Sequence, residues 1–176
     1  LVDMLAREPV FSPDGKMIAY VEDRNLGRGG GGLWTVAADG GKPKLIADAG
    51  NASSPVWSPD GRRLAFVDYD ASKKIQIISL GPDGNPLSEK ISIECPETLS
   101  GVRRLAGWTR ENVIGAVVET PTEFALYAQA LEGGKATFVT HGGYPVEPRW
   151  SPDGGRIYHV NNTGEANGGW QRLAIA

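Results

Sequence analysis

The turn sequence Ser-Pro-Asp-Gly recurs along this chain, and its spacing constrains the fold more than any other feature. Ser12-Pro13-Asp14-Gly15 is followed after 46 residues by Ser58-Pro59-Asp60-Gly61, and after a further 93 by Ser151-Pro152-Asp153-Gly154. The second interval is close to twice the first, so a worn copy is expected between them. Trp108-Thr109-Arg110-Glu111-Asn112 stands there. An aromatic residue precedes each turn: Phe11, Trp57, Trp108 and Trp150. Pro at the second position presets φ for a type I turn, and Asp favours the third. Gly accepts the left-handed conformation from which the next strand starts, and Asn is the next most tolerant residue there. Each copy therefore reads as a hairpin turn, and Asp14, Asp60 and Asp153 recur as turn residues, not as paired catalytic carboxylates.

The segment after each turn repeats as well. Met17–Val21, Leu64–Val67, Val113–Val118 and Ile157–Val160 are short, nearly continuous apolar runs. Such runs suit strands covered on both faces. A loop and another strand come next: Leu33–Val36, Ile75–Ile78, Leu126–Gln129 and Trp170–Ile175. Asp39-Gly40-Gly41, Asp83-Gly84 and Gly133-Gly134 then signal a further turn before a shorter, more polar strand such as Lys44–Ile46 or Thr137–Val139. Four antiparallel strands in each repeat of about 45 residues have the size and content of a propeller blade. The expectation is an all-β chain of about four blades, near 7–50, 51–100, 101–145 and 146–176. The last blade lacks a strand, so the propeller is expected to be incomplete.

Composition sets outer limits. Of 176 residues, 40% are hydrophobic and 22% charged, ordinary values for a globular domain. The net charge of −3 argues against a nucleic-acid partner. No apolar run reaches the ~18 residues needed to span a membrane. Cys95 is the one cysteine, so neither an internal disulfide nor a CxxC-type zinc site can form. Leu1 to Arg7 lacks the pattern of a signal peptide, and the chain reads as a piece of something longer. Its compartment stays open, a periplasmic or secreted place being favoured.

The pattern of aromatic, Ser-Pro-Asp-Gly, Leu-Ala-Phe-Val, strand and Asp-Gly-Gly resembles the WD-repeat-like blades of TolB-type propellers. Similar blades form the N-terminal propeller of prolyl-oligopeptidase-family serine peptidases of the dipeptidyl- and acylaminoacyl-peptidase type. The insert Glu22–Gly32 and the stretch from Asn161 through Gly169-Trp170-Gln171 resemble the peptidase propellers in particular. The resemblance implies a bacterial type of protein whose hydrolase, if any, is a separate domain absent from these residues. Open sheets at both ends would expose strand edges. Three outcomes fit: part of a larger propeller, a homodimer completing an eight-bladed ring, or a small four-bladed ring closed by Leu1 to Leu5.

Catalytic chemistry finds little support. No Gly-x-Ser-x-Gly elbow occurs, and the only histidines are His141, in a link, and His159, expected to be packed within a strand. No HExxH or EF-hand loop is present, so neither metal nor cofactor is expected. Gly27–Gly32 matches Gly-x-Gly-x-x-Gly but runs into a strand, not a helix, and reads as a loop. Asn51-Ala52-Ser53 and Asn161-Asn162-Thr163 are formal glycosylation sequons only. In a four-stranded meander the first and third turns share one end, and the second turn and the inter-blade link share the other. Binding residues tend to lie on irregular loops over a rigid scaffold. The ligand-binding candidates are therefore Asp23, Arg24, Asp68, Tyr69, Asp70, Glu119 and Trp170. The expected function is a non-catalytic module that binds a protein or peptide, or gates a catalytic domain elsewhere. A funnel-site lyase or hydrolase and a TolB-like scaffold are the alternatives.

Overall fold

The computed structural model describes residues 5–23, 31–70, 74–87, 90–93, 99–131, 137–141, 144–151, 155–162 and 170–174. Among them there is no helix, and the all-β expectation holds. The chain divides into two compact units, Leu1–Glu94 and Cys95–Ala176.

In the first unit, β1 (Ala6–Phe11), β2 (Met17–Glu22), β3 (Leu33–Ala37) and β4 (Lys44–Ala47) form one antiparallel sheet in chain order. The strands β5 (Ala52–Trp57), β6 (Arg63–Asp68), β7 (Lys74–Ser79) and β8 (Ile91–Ile93) form a second. The central strands are covered on both faces: Leu64, Ala65, Phe66 and Val67 are all fully buried. This explains why their sequence runs are continuously apolar and do not alternate. One core joins the two sheets through Val21, Leu33, Ile46, Trp57, Phe66 and Ile78.

The second unit repeats the scheme. There β9 (Gly101–Trp108), β10 (Val113–Glu119), β11 (Phe124–Ala130) and β12 (Thr137–His141) form a four-stranded sheet. The last sheet holds β13 (Tyr144–Trp150), β14 (Arg156–Asn162) and β15 (Trp170–Ala174). Ala106, Val117, Leu126 and Ile157 form the core between them, with Val139 and Trp150 packed against it.

The first strand of three sheets carries the same irregularity, which the turn motif alone did not reveal. Register shifts between Arg7 and Val10, between Ser53 and Val56, and between Val146 and Arg149. Each shift places two residues, Glu8-Pro9, Ser54-Pro55 or Glu147-Pro148, opposite one on the neighbouring strand. The first of each pair has positive φ: 53° at Glu8, 52° at Ser54 and 47° at Glu147. This is a β-bulge, and it bends and twists the strand just before the aromatic residue. The full repeat thus begins with a proline two residues before the aromatic.

Within each unit, the aromatic of the later sheet joins it to the sheet before. The Trp57 indole N–H donates to the Val10 carbonyl of the first sheet at 3.2 Å. Trp150 lies against the paired glycines Gly107 and Gly115 of β9 and β10. A Cβ at Gly115 would come within 2.9 Å of the indole nitrogen and 3.2 Å of the Ala106 Cβ. Gly115→Ala should therefore destabilise the protein by about 1–3 kcal/mol through overpacking. Trp150→Leu should recover part of that loss in a double-mutant cycle read by urea denaturation. Purely additive losses would mean that glycine and indole do not meet.

Candidate functional site

The first turn of each sheet is closed by its leading hydroxyl. In the second sheet the buried Ser58 accepts the Arg63 N–H on Oγ at 2.8 Å. Its hydroxyl donates to Asp60 Oδ1 at 2.6 Å, and that oxygen also accepts the Arg62 N–H at 3.0 Å. Gly61 N–H donates to the Ser58 carbonyl at 2.9 Å, with Gly61 at φ 69°. The first sheet repeats the set: Met17 N–H to Ser12 Oγ at 2.9 Å and Ser12 Oγ to Asp14 at 2.7 Å. In the last sheet Arg156 N–H donates to Ser151 Oγ at 3.0 Å; Pro152, Asp153 and Gly154 lie outside the described residues. The worn copy keeps the device with threonine: Val113 N–H donates to Thr109 Oγ1 at 3.3 Å, and Asn112 takes the glycine's place at φ 58°. Asp14 and Asp60 are thus occupied by turn contacts, and the serine does more than the proline or glycine to close the loop.

Two of these turns border a cleft in the first unit of about 770 Å³. Buried Trp57 and Leu80, with Met17, form its base; Pro13, Pro59 and Pro82 line its sides. Asp14, Asp60, Arg62 and the exposed Leu87 complete the lining. Pro82 and Gly84 come from the third turn of the second sheet, so first and third turns do share one end. Lys44 Nζ reaches across from the first sheet to the Asp83 carbonyl. The volume lies within the ~300–1,000 Å³ of ordinary ligand sites, and the apolar base with a few fixed polar groups suits a side chain or short peptide.

The carboxylates here stay charged. The hydrogen bond from Ser12 holds Asp14 below the ordinary 3.8, and the one from Ser58 does the same for Asp60. Asp83 is lowered chiefly by the Asn85 N–H.

The other end of the first unit holds most of the sequence-predicted residues. Asp23 N–H donates to the Leu5 carbonyl at 2.7 Å, and Tyr69 N–H to the Asn51 carbonyl at 3.2 Å. Asp68 is buried and accepts the Asp70 N–H at 3.2 Å. Asp70 packs against Gly50. Beside them Glu8 takes the Ser54 N–H and lies 3.3 Å from the Ser53 hydroxyl. Arg7 donates to the Ala52 carbonyl at 3.0 Å and to Glu8 at 3.1 Å. Ser53 is buried in this network, so the sequon at Asn51 begins a packed strand. Glu119 belongs to the second unit, where it pairs with Arg103 at 2.5 Å; that guanidinium lies 5.8 Å over the Phe124 ring. Arg24 lies outside the described residues. Trp170 opens β15 opposite Val160, and its side chain, like that of His141, is outside the described set. His159 is 1% exposed within β14. Among the described residues no three acids, histidines or cysteines are grouped to hold a metal.

Comparison with known proteins rests on structure alone. No family model matches the chain, and no curated protein matches it. Among solved structures, a protein assigned as TolB from Agrobacterium tumefaciens superposes with TM-score 0.73 at 24% identity, covering 97% of this chain and 58% of that one. The β-propeller domain of the Trilobed protease from Pyrococcus furiosus gives 0.60 at 22% identity, with 97% and 57% covered. The fold is a β-propeller. A puromycin hydrolase is also similar, at TM-score 0.69 and 16% identity, over 97% of this chain and 27% of that one. This chain spans less than two thirds of each of these proteins, and its fold is that of part of a β-propeller.

The turn chemistry predicts a pH response. A carboxyl whose folded pKa is depressed contributes stability that is complete above its unfolded value and is lost as pH falls through the folded value. Stability should therefore decline below pH 3.8 as Asp14 and Asp60 protonate. Asp60→Asn should flatten that decline in urea titrations at successive pH values. At neutral pH, Ser58→Ala should cost about 1–3 kcal/mol by stranding buried polar groups, with Ser58→Thr retaining most of the stability.

Proposed function

We propose that this propeller segment is a non-catalytic module that binds an extended protein segment in the cleft between the turns of its first two sheets. The observation that carries this reading is the cleft's lining. A buried indole and two apolar side chains can take an apolar side chain. Three prolines fix the walls at little entropic cost, and the Arg62 guanidinium can orient a main chain. The site lies on hydrogen-bonded turns, so binding would require little reorganisation. Asp23, Asp68, Tyr69 and Asp70, at the opposite end of the unit, remain a second candidate surface.

Peptides selected from a random phage-displayed library against the folded chain test this reading. Selected peptides should lose at least about tenfold in affinity with Leu87→Glu or Arg62→Glu, as central interface contacts do. Asp70→Asn should leave their affinity unchanged. Failure to select any peptide, or peptides sensitive to Asp70→Asn and indifferent to Leu87→Glu, would reject the cleft.

A second reading, gating of a hydrolase domain, draws on the likeness to about a quarter of a larger hydrolase chain. A Gly-x-Ser-x-Gly elbow encoded in the same reading frame beyond Ala176 would support it. Further blades followed by a stop would sink it.

A further inference from the structure

Asp14-Gly15, Asp39-Gly40, Asp60-Gly61 and Asp83-Gly84 hold the same place in one kind of turn. In each, the glycine N–H donates to the carbonyl three residues back. The bonds are alike: Gly15 to Ser12 at 2.9 Å, Gly40 to Ala37 at 3.0 Å, Gly61 to Ser58 at 2.9 Å and Gly84 to Gly81 at 2.9 Å. The amide after the aspartate is thus held in the same way at all four steps.

The carboxylates are not alike. Asp14 Oδ1 accepts the Ser12 hydroxyl at 2.7 Å and the Lys16 N–H at 3.1 Å. Asp60 Oδ1 accepts the Ser58 hydroxyl at 2.6 Å and the Arg62 N–H at 3.0 Å. Asp83 takes the Asn85 N–H on Oδ1 at 3.1 Å and the Asn85 side-chain amide on Oδ2. Each of these three closes an Asx-type loop onto the amide two residues on. Asp39 makes no such loop. Ala37 stands where Ser12 and Ser58 carry their hydroxyls, and the amide two residues on belongs to Gly41, at φ 127°. Among the described residues, none holds the Asp39 side chain by a hydrogen bond or an ion pair. Residues 38–42 are all exposed, and a Cβ at Gly40 or Gly41 would meet only open space.

We propose that Asp39-Gly40 is a modification site, at which the chain isomerises spontaneously to isoaspartate while the turns protect the other three steps. The Gly40 amide nitrogen attacks Cγ of the protonated Asp39 carboxyl and loses its proton. A carboxyl oxygen leaves as water, and a succinimide ring closes. Water adding to the main-chain carbonyl then gives isoaspartate, whose backbone runs through Cβ and Cγ; water adding to the side-chain carbonyl restores aspartate. One water leaves and one returns, so the mass is unchanged and no co-reactant is needed. At the other three steps the carboxylate must first give up two hydrogen bonds that favour its charged, unreactive form. The added main-chain carbon enters an exposed stretch ahead of β4 that holds no core side chain, so the modified chain stays folded.

Ageing the folded chain at neutral pH, with its peptides mapped by electron-transfer fragmentation to separate the two isomers, tests this. Isoaspartate should accumulate at Asp39 about tenfold faster than at Asp14, Asp60 or Asp83, the factor that one charge-assisted hydrogen bond imposes on opening. In guanidinium chloride the full chain loses its turns, and the four steps should isomerise at comparable rates. Equal rates in the folded chain overturn the proposal, as does isomerisation at Asp39 slower than at any of the other three. A lead for Asp39 that persists unchanged in denaturant overturns it too, because local sequence and not the fold would then set the rate.

Discussion

A hydroxyl at the start of each first hairpin, buried in three of the four sheets, is the contact on which the rest of the architecture depends. Without Ser58 Oγ, the Arg63 N–H at the head of β6 would lose its acceptor in a region closed to water. An unsatisfied buried amide costs about as much as several surface contacts contribute. The same oxygen holds the aspartate, and the aspartate holds the amide after the glycine. Three backbone and side-chain groups are thereby fixed by one short side chain. Thr109 keeps the bond where proline, aspartate and glycine have all been lost. The hydroxyl is therefore the one part of the four-residue turn that this copy keeps.

Fixing the hairpin also fixes the residue before it. The aromatic is carried on the last position of the first strand, so the turn and the bulge set its direction from either side. Glu8, Ser54 and Glu147 adopt a backbone conformation uncommon for residues with a side chain. Glu8 offsets part of that cost in the first unit by accepting the Ser54 N–H. Trp57 then reaches the Val10 carbonyl and closes the base of the cleft between two successive turns. The candidate binding site is in this sense a by-product of the joint, since two rigid turns beside a buried indole leave a groove between them.

Much of the fold was legible because turn chemistry and strand pattern agree at every repeat. The worn copy at Trp108 could be placed by spacing alone, and the strands after each turn fall where their apolar runs stand. The bulge was not: Glu8-Pro9, Ser54-Pro55 and Glu147-Pro148 recur, but proline before an aromatic reads as an ordinary strand edge until register is known. The role of serine was hidden because its bond is to an amide five residues on. The site was harder to see. Irregular loops drew attention to Asp23, Asp68, Tyr69 and Asp70, whereas the cleft is made by regular turns. Its lining joins Met17, Trp57 and Leu87, residues far apart in sequence with no pattern linking them. Asp68 is an acid in a predicted loop, and only burial reveals that its carboxylate holds the turn at Asp70.

The central claim is that one hydroxyl closes the first hairpin of every sheet. Amide hydrogen exchange measures this residue by residue. The N–H groups of Met17, Arg63, Val113 and Arg156 should exchange as slowly as their neighbours in β2, β6, β10 and β14. Ser58→Ala should release Arg63 alone among the four. If these amides exchange at the rate of exposed loop positions, the hydroxyl is not their acceptor and the account fails.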